Sequence, residues 1–281
     1  MGDSEVVQLL VLTVHVDEVE LVSDLLFSVG ARAVEERGVS DQTVELLCAA
    51  ADDEEWSAGL RQVIGDRWTI RTEVVDAAVL DTWRTLAEPI AVDERLTILP
   101  AWREDLRSGS SGLIISIDPG AAFGMGDHPT TRLTASSLLD EMSPGDSVLD
   151  MGCGSGILAI VAARSGASAV TAVDIEGAAV SATVSNARLN GVDHLINAVH
   201  QDSVPTGQGG FDVICANILA PVLAMMADDL VAALAPEGRL ILSGLLTGKS
   251  EGLVDEFRSR GLVTCRSADL NGWHVEIMNA R

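Results

Sequence analysis

Four polar positions in the second half of this chain have types and spacing suited to chemistry. Asp150 opens the stretch DMGCGSG, Asp174 follows Gly152 by twenty-two residues, Asp202 stands in HQDS, and Asn217 in ANIL. Gly152 and Gly154 allow a tight turn and a close approach of backbone to a ligand. A carboxylate at position 174, ending the next strand, can accept both hydroxyls of a ribose. A nicotinamide-dinucleotide fingerprint reads GxGxxG. Here the third glycine, Gly156, comes one residue early and position 157 is Ile. Asp150 beside the turn repels a pyrophosphate and suits a cation. S-adenosylmethionine has no phosphate and carries a sulfonium and an ammonium, so the combination points to that cofactor. Asp202 is placed to accept the adenine amino group, although a loop or cap aspartate fits equally well. Asn217 faces the expected position of the methyl group, and it is also a good cap for the helix that follows.

These residues need strand ends to carry them, and the pattern supplies them. Strands are expected at 146–151, 168–174, 194–200, 211–217, 238–244, 261–269 and 272–279. Helices are expected at 155–165, 176–190, 219–234 and 250–260. Alternating apolar strands and helices mean a mostly parallel sheet covered on both faces. The last two strands suggest an antiparallel hairpin on one edge. In such a sheet ligands bind at the carboxyl ends of the strands, near the switch in strand order. The first 75 residues read differently: strand 6–16, helix 17–29, strands 31–38 and 42–50, helix 52–65, strand 67–75. That β-α-β-β-α-β order is a ferredoxin-like split motif. Residues 76–112 read as a packed linker, punctuated by Pro89 and Pro100 and anchored by Trp83 and Trp102. The fold class is therefore α/β, a seven-stranded Rossmann-like domain at 113–281 behind a small ferredoxin-like α+β domain at 1–75.

Bulk properties bound the function. The 281 residues carry a formal net charge of −24, with no Tyr and with Lys249 as the one lysine. Nucleic-acid binding draws most of its affinity from basic side chains against phosphates, so no direct nucleic-acid partner is expected. The middle strands of the first domain also lack the aromatics on which an RNA-recognition module stacks bases. An acidic surface attracts a basic partner; a structural or dimerising role for that domain carries nearly equal weight. Cys48, Cys153, Cys215 and Cys265 form no CxxC pair, so no metal site is expected. Free scattered thiols, no basic leader at the start, and apolar runs too short for a bilayer suggest a cytoplasmic protein without a membrane partner.

One further stretch is too irregular for a helix or strand: DPGAAFGMGDHPTTRL, residues 118–133. Together with VLDMGCGSGILAIVAARSGA, ANILAPVL and GRLILSGLL it closely resembles the lysine methyltransferases of ribosomal protein L11, the PrmA family, over nearly the whole chain. The resemblance implies a class I methyltransferase domain that uses S-adenosylmethionine and acts on amines of a basic ribosomal protein; a monomer is expected. It implies that Thr131, Gly152, Asp174 and Asn217 contact the cofactor, with Gly154 completing the turn. It also implies that Phe123, His128 and Trp273 line the mouth where the substrate amine enters. Met125 and Asp127 stand where the family pattern FGTGTHPTT has threonines. Taken alone, His128 reads as a loop histidine packed by Pro129, Phe123 as core, and Trp273 as packing on the edge hairpin. Two other readings stay open on the residues: the same methyltransferase core acting on another protein lysine or a small amine, and a non-catalytic cofactor-binding interaction protein. A dehydrogenase is the weakest, because the glycine spacing is wrong.

Overall fold

In the computed structural model, residues 6–28, 33–40, 42–49, 67–76, 87–110, 112–118, 126–205 and 210–280 are described. They fall into two compact units, one within Met1–Ala87 and the other within Glu88–Pro119 and Gly124–Arg281.

The first unit holds β1 (Val6–His15), α1 (Val19–Ser28), β2 (Ala33–Ser40), β3 (Thr43–Ala49) and β4 (Thr69–Asp76). Its sheet order is β2-β3-β1-β4, with every pair antiparallel. This is the strand order of a ferredoxin-like sheet, as expected from the element sequence. The expected helix at 52–65 lies outside the described residues. Leu10, Leu12 and Val14 alternate onto the face that packs α1 through Val19, Val22 and Leu26. On the opposite face Leu9, Val11 and Leu47 form a smaller buried cluster. Residues sharing that face by register carry charge: Arg71 bonds Glu73 and Glu45 at 2.8 Å each, and Arg37 reaches Glu73 at 3.4 Å. Arginine stems lie well along apolar surface while their heads stay in water. Two of this domain's glutamates are thus already neutralised by arginine.

The second unit contains a seven-stranded sheet in the order β10-β9-β8-β11-β12-β14-β13. These are β8 (Ser147–Met151), β9 (Ala169–Asp174), β10 (Ile196–His200), β11 (Phe211–Asn217), β12 (Leu234–Leu246), β13 (Leu262–Leu270) and β14 (Trp273–Ala280). All neighbours are parallel except β14, which runs antiparallel between β12 and β13. One face carries α2 (Pro129–Glu141) and α3 (Ile157–Arg164), whose apolar residues join the cluster of Val148, Val170, Val213 and Ile241. The other carries α5 (Ala220–Met225), α6 (Ala227–Ala232) and α7 (Glu251–Ser259) against Leu149, Ile214 and Leu242. The remaining helix, α4 (Gly177–Leu189), follows β9.

Two details depart from the sequence reading. Residues 88–112 belong to the second unit: β5 (Ile90–Asp93) and β6 (Leu96–Pro100) form a small sheet with β7 (Leu113–Ile117), β6 and β7 being parallel. Leu96, Ile98 and Leu99 are fully buried, so the prolines punctuate a strand pair rather than a connector. The helix expected at 219–234 is two short ones, because Met226 closes α5 and opens α6, and at Leu234 the chain joins β12 beside Phe211. Among the described residues, no helix is long and apolar enough to cross a membrane, and no group of His, Cys, Asp or Glu could hold a metal ion.

Candidate active site

Strand register aligns the chemistry. Met151 of β8 pairs with Val173 of β9 and with Ala216 of β11, so Gly152, Asp174 and Asn217 each stand one step beyond a shared rung. Neighbouring strands lie roughly 4.8 Å apart, which brings the three within reach of one small molecule. The place is the switch between β8 and β11, where the strand order reverses.

The glycine turn is closed by its own backbone. Gly152 and Cys153 donate their N–H groups to the Val173 carbonyl at 2.8 and 3.0 Å, and Gly156 donates to Cys153 at 2.7 Å. Gly154 donates to Asp174 Oδ2 at 2.9 Å. Four amides that would cradle a phosphate are therefore already taken. Gly152 has φ of +78°, and a Cβ there would run into the Ile218 side chain. Gly244, at φ +79° in the register break of β12, lies against the carbonyl of the same Ile218. Only glycine leaves room for Ile218 between them.

Carboxylates surround the turn. Asp174 accepts from Gly154 and, through Oδ1, from Glu176 N–H at 2.9 Å. Each oxygen keeps a further lone pair for a ligand hydroxyl. Asp150 is 1% exposed. Its Oδ2 accepts from Ala159 N–H at 3.0 Å, in the first turn of α3, while Oδ1 has no partner. Burial lifts its pKa from 3.8 to about 7, against the Ala159 hydrogen bond and with help from Asp174. Cys153 and Cys215 are held as thiols by burial and by the nearby Asp150 charge. Glu176 is also raised, by burial and then by Asp174. Exposed Ile175, next to Asp174, offers an apolar surface at the same strand end.

The other residues singled out from the sequence occupy distinct stations. Thr131 lies in the first turn of α2, 1% exposed, with a buried hydroxyl that has no partner. Asn217 is half-buried and ends β11. Leu219, not Asn217, holds the cap position of α5, so the helix-cap alternative does not hold. Asp202 is exposed, two residues beyond β10. His128 caps α2: its Nδ1 accepts from Thr130 N–H at 3.3 Å and lies 2.7 Å from the Thr130 hydroxyl. Its ring meets Trp273 edge-on at 4.9 Å. Trp273 is 3% exposed and belongs to the core cluster, so it backs His128 rather than lying open. Phe123 and Met125 lie outside the described residues.

Two contributors were not foreseen. Ser243 pairs with Asn217 across β11 and β12, and its buried hydroxyl also lacks a partner. A hydroxyl in an apolar strand (LILSGLL) is its only sequence signal. Asn186, 1% exposed, accepts from Asp118 N–H and donates to the carbonyls of Asp118 and Ser155, all at 2.9 Å. Asn190 makes the same paired contact with Ser116. These amides on α4 fasten the exit of β7 to the glycine turn, which the i, i+4 spacing alone does not disclose.

Orphaned buried atoms on Thr131, Asp150 and Ser243, an acidic rim and a turn with four amides already bonded suit a cationic nucleoside better than a phosphorylated one. Fold and site together define a class I methyltransferase domain. The family profile described as Ribosomal protein L11 methyltransferase (PrmA) matches residues 36–281. The chain is 35% identical over 222 residues to the Ribosomal protein L11 methyltransferase of Listeria monocytogenes serotype 4b, covering 78% of this chain and 69% of that one. It is 44% identical over 189 residues to the protein of that name from Citrifermentans bemidjiense, covering 65% and 61%. A crystal structure described as ribosomal protein L11 methylase from Lactobacillus delbrueckii subsp. bulgaricus superposes with a TM-score of 0.64 at 30% identity, covering 69% of this chain and all of that one. The chain belongs to the ribosomal protein L11 methyltransferase (PrmA) family.

Proposed function

We propose that this chain is a protein-lysine N-methyltransferase that moves methyl groups from S-adenosylmethionine to amines of ribosomal protein L11, lysine side chains foremost. One observation carries the choice of cofactor: four of the turn amides are consumed internally while acidic oxygens stay available. Asp174 would hold the ribose hydroxyls, Asp202 the adenine amino group and Ile175 the face of the base. Asp150 and the Thr131 hydroxyl would meet the methionine end, with Gly152 and Gly154 giving close backbone approach. When bound, S-adenosylmethionine supplies a methyl group already activated by its sulfonium.

The protein's own part is mainly positioning. A free lysine has a pKa of about 10.4, so the acceptor must shed a proton. Desolvation beside an apolar rim favours the neutral amine. Asn217 would take one N–H of that amine on its carbonyl and orient the lone pair. His128, with Nδ1 occupied by the helix cap and Trp273 packed behind it, would edge the mouth, and we assign no dedicated general base. The acidic first domain would attract the basic ribosomal protein.

Mass spectrometry of purified L11 after incubation with the full chain and S-adenosylmethionine tests the reading. Mass increments in steps of one methyl on lysine-containing peptides are expected. Unmodified L11, with cofactor binding intact, refutes it.

A further inference from the structure

The helix after Asn217 buries one side and leaves the other apolar and bare. Leu223 is fully buried under α5, whereas Leu219, Val222 and Met225 are 44%, 36% and 80% exposed. Their three-residue spacing sets them along one face, and Pro221 beside them is exposed as well. This ridge begins two residues beyond Asn217, on the segment that leaves that strand end. No Lys or Arg occurs between Phe211 and Gly238, and exposed Asp228 and Asp229 follow the ridge directly, Asp228 being paired with Arg260 at 2.6 Å. Covering exposed apolar side chains is favourable in proportion to the area removed from water, and contiguous ones on a surface mark an interaction site.

We propose that the Leu219–Val222–Met225 ridge is the platform on which a basic segment of the acceptor protein lays the apolar side chains that flank its target lysine. The inference rests on the functional reading above and deepens it. Charge selects the partner: the ridge lies on a segment without lysine or arginine, and although Arg260 pairs with Asp228, exposed Asp229 and the acids around it favour a lysine-bearing segment over an acidic one. Geometry supplies the second reason. Covering the ridge excludes water from the approach to Asn217, where the amine must arrive neutral. A small amine would need no such platform.

The test compares wild type with Met225→Ser and Val222→Ser/Met225→Ser in the full chain. KM for L11 is expected to rise about tenfold or more in the double variant. Thermal midpoint and calorimetric affinity for S-adenosylmethionine should stay unchanged. An unaltered KM overturns the proposal. A lowered thermal midpoint overturns it in favour of cover by this chain's own segments, and a wild-type dimer that the variant dissociates overturns it in favour of a second copy. A wild-type enzyme that binds cofactor yet leaves L11 unmodified overturns the functional reading, and the platform with it.

Discussion

Replacing Asp150 by Asn probes the electrostatics of the cradle. The carboxyl is 1% exposed, and its folded pKa stands near 7 against an ordinary 3.8. A difference of that size corresponds to roughly 4 kcal/mol, as an order of magnitude. Its sign follows from proton counting. Between pH 4 and 7 the unfolded chain has lost this proton while the folded chain keeps it, so raising the pH favours unfolding. The stability tied to protonated Asp150 is thus full below about pH 4 and gone above about pH 7. Asn keeps an acceptor for Ala159 N–H and removes the charge. In urea denaturation of the cofactor-free protein, wild type should lose more stability than Asp150→Asn between pH 5 and pH 8. A cationic ligand favours the ionised form, so binding at pH 6 should release close to one proton in wild type and markedly less in the variant. Calorimetry in two buffers of different ionisation enthalpy reads that number. Equal pH dependence of stability in both proteins, with equal proton release, would refute the assignment of a buried carboxyl that ionises to meet a cation.

Asp174→Ala should weaken S-adenosylmethionine binding about a hundredfold, since hydrogen bonds to a charged group contribute about 1.5–3 kcal/mol each; unchanged calorimetric affinity would remove Asp174 from the site. Asn186→Ala deletes two hydrogen bonds to Asp118, just past β7, and one to Ser155 in the glycine turn. It should lower stability by about 2–4 kcal/mol, read by chemical denaturation. Gly152→Ala sets a Cβ against Ile218 at positive φ; it should cost about 1–3 kcal/mol of stability and weaken cofactor binding, both read by thermal shift with and without S-adenosylmethionine. If acidic surface attracts L11, its KM should rise steadily between 50 and about 300 mM salt as screening sets in, with cofactor affinity nearly flat.

Local chemistry made much of the molecule legible in its sequence. Alternating β-branched strands and helices determined the parallel sheet, because a strand buried on both faces must be apolar throughout. The β-α-β-β-α-β order determined the four-stranded sheet of the first unit. Acid, glycine turn and second acid were legible because these residues sit next to strand ends that the pattern itself marks, and register brings those strand ends together. Tertiary structure decided the rest. Only strand register put Ser243 beside Asn217, and only the packing of α4 let Asn186 tie β7 to the turn. Residues 96–100 became a strand because β7 gave β6 a partner, and hydrogen bonds between distant segments leave no periodic trace. Trp273 went to the core behind His128 because β14 inserts between β12 and β13 instead of closing the edge. Burial, which sequence spacing does not contain, set the proton affinity of Asp150.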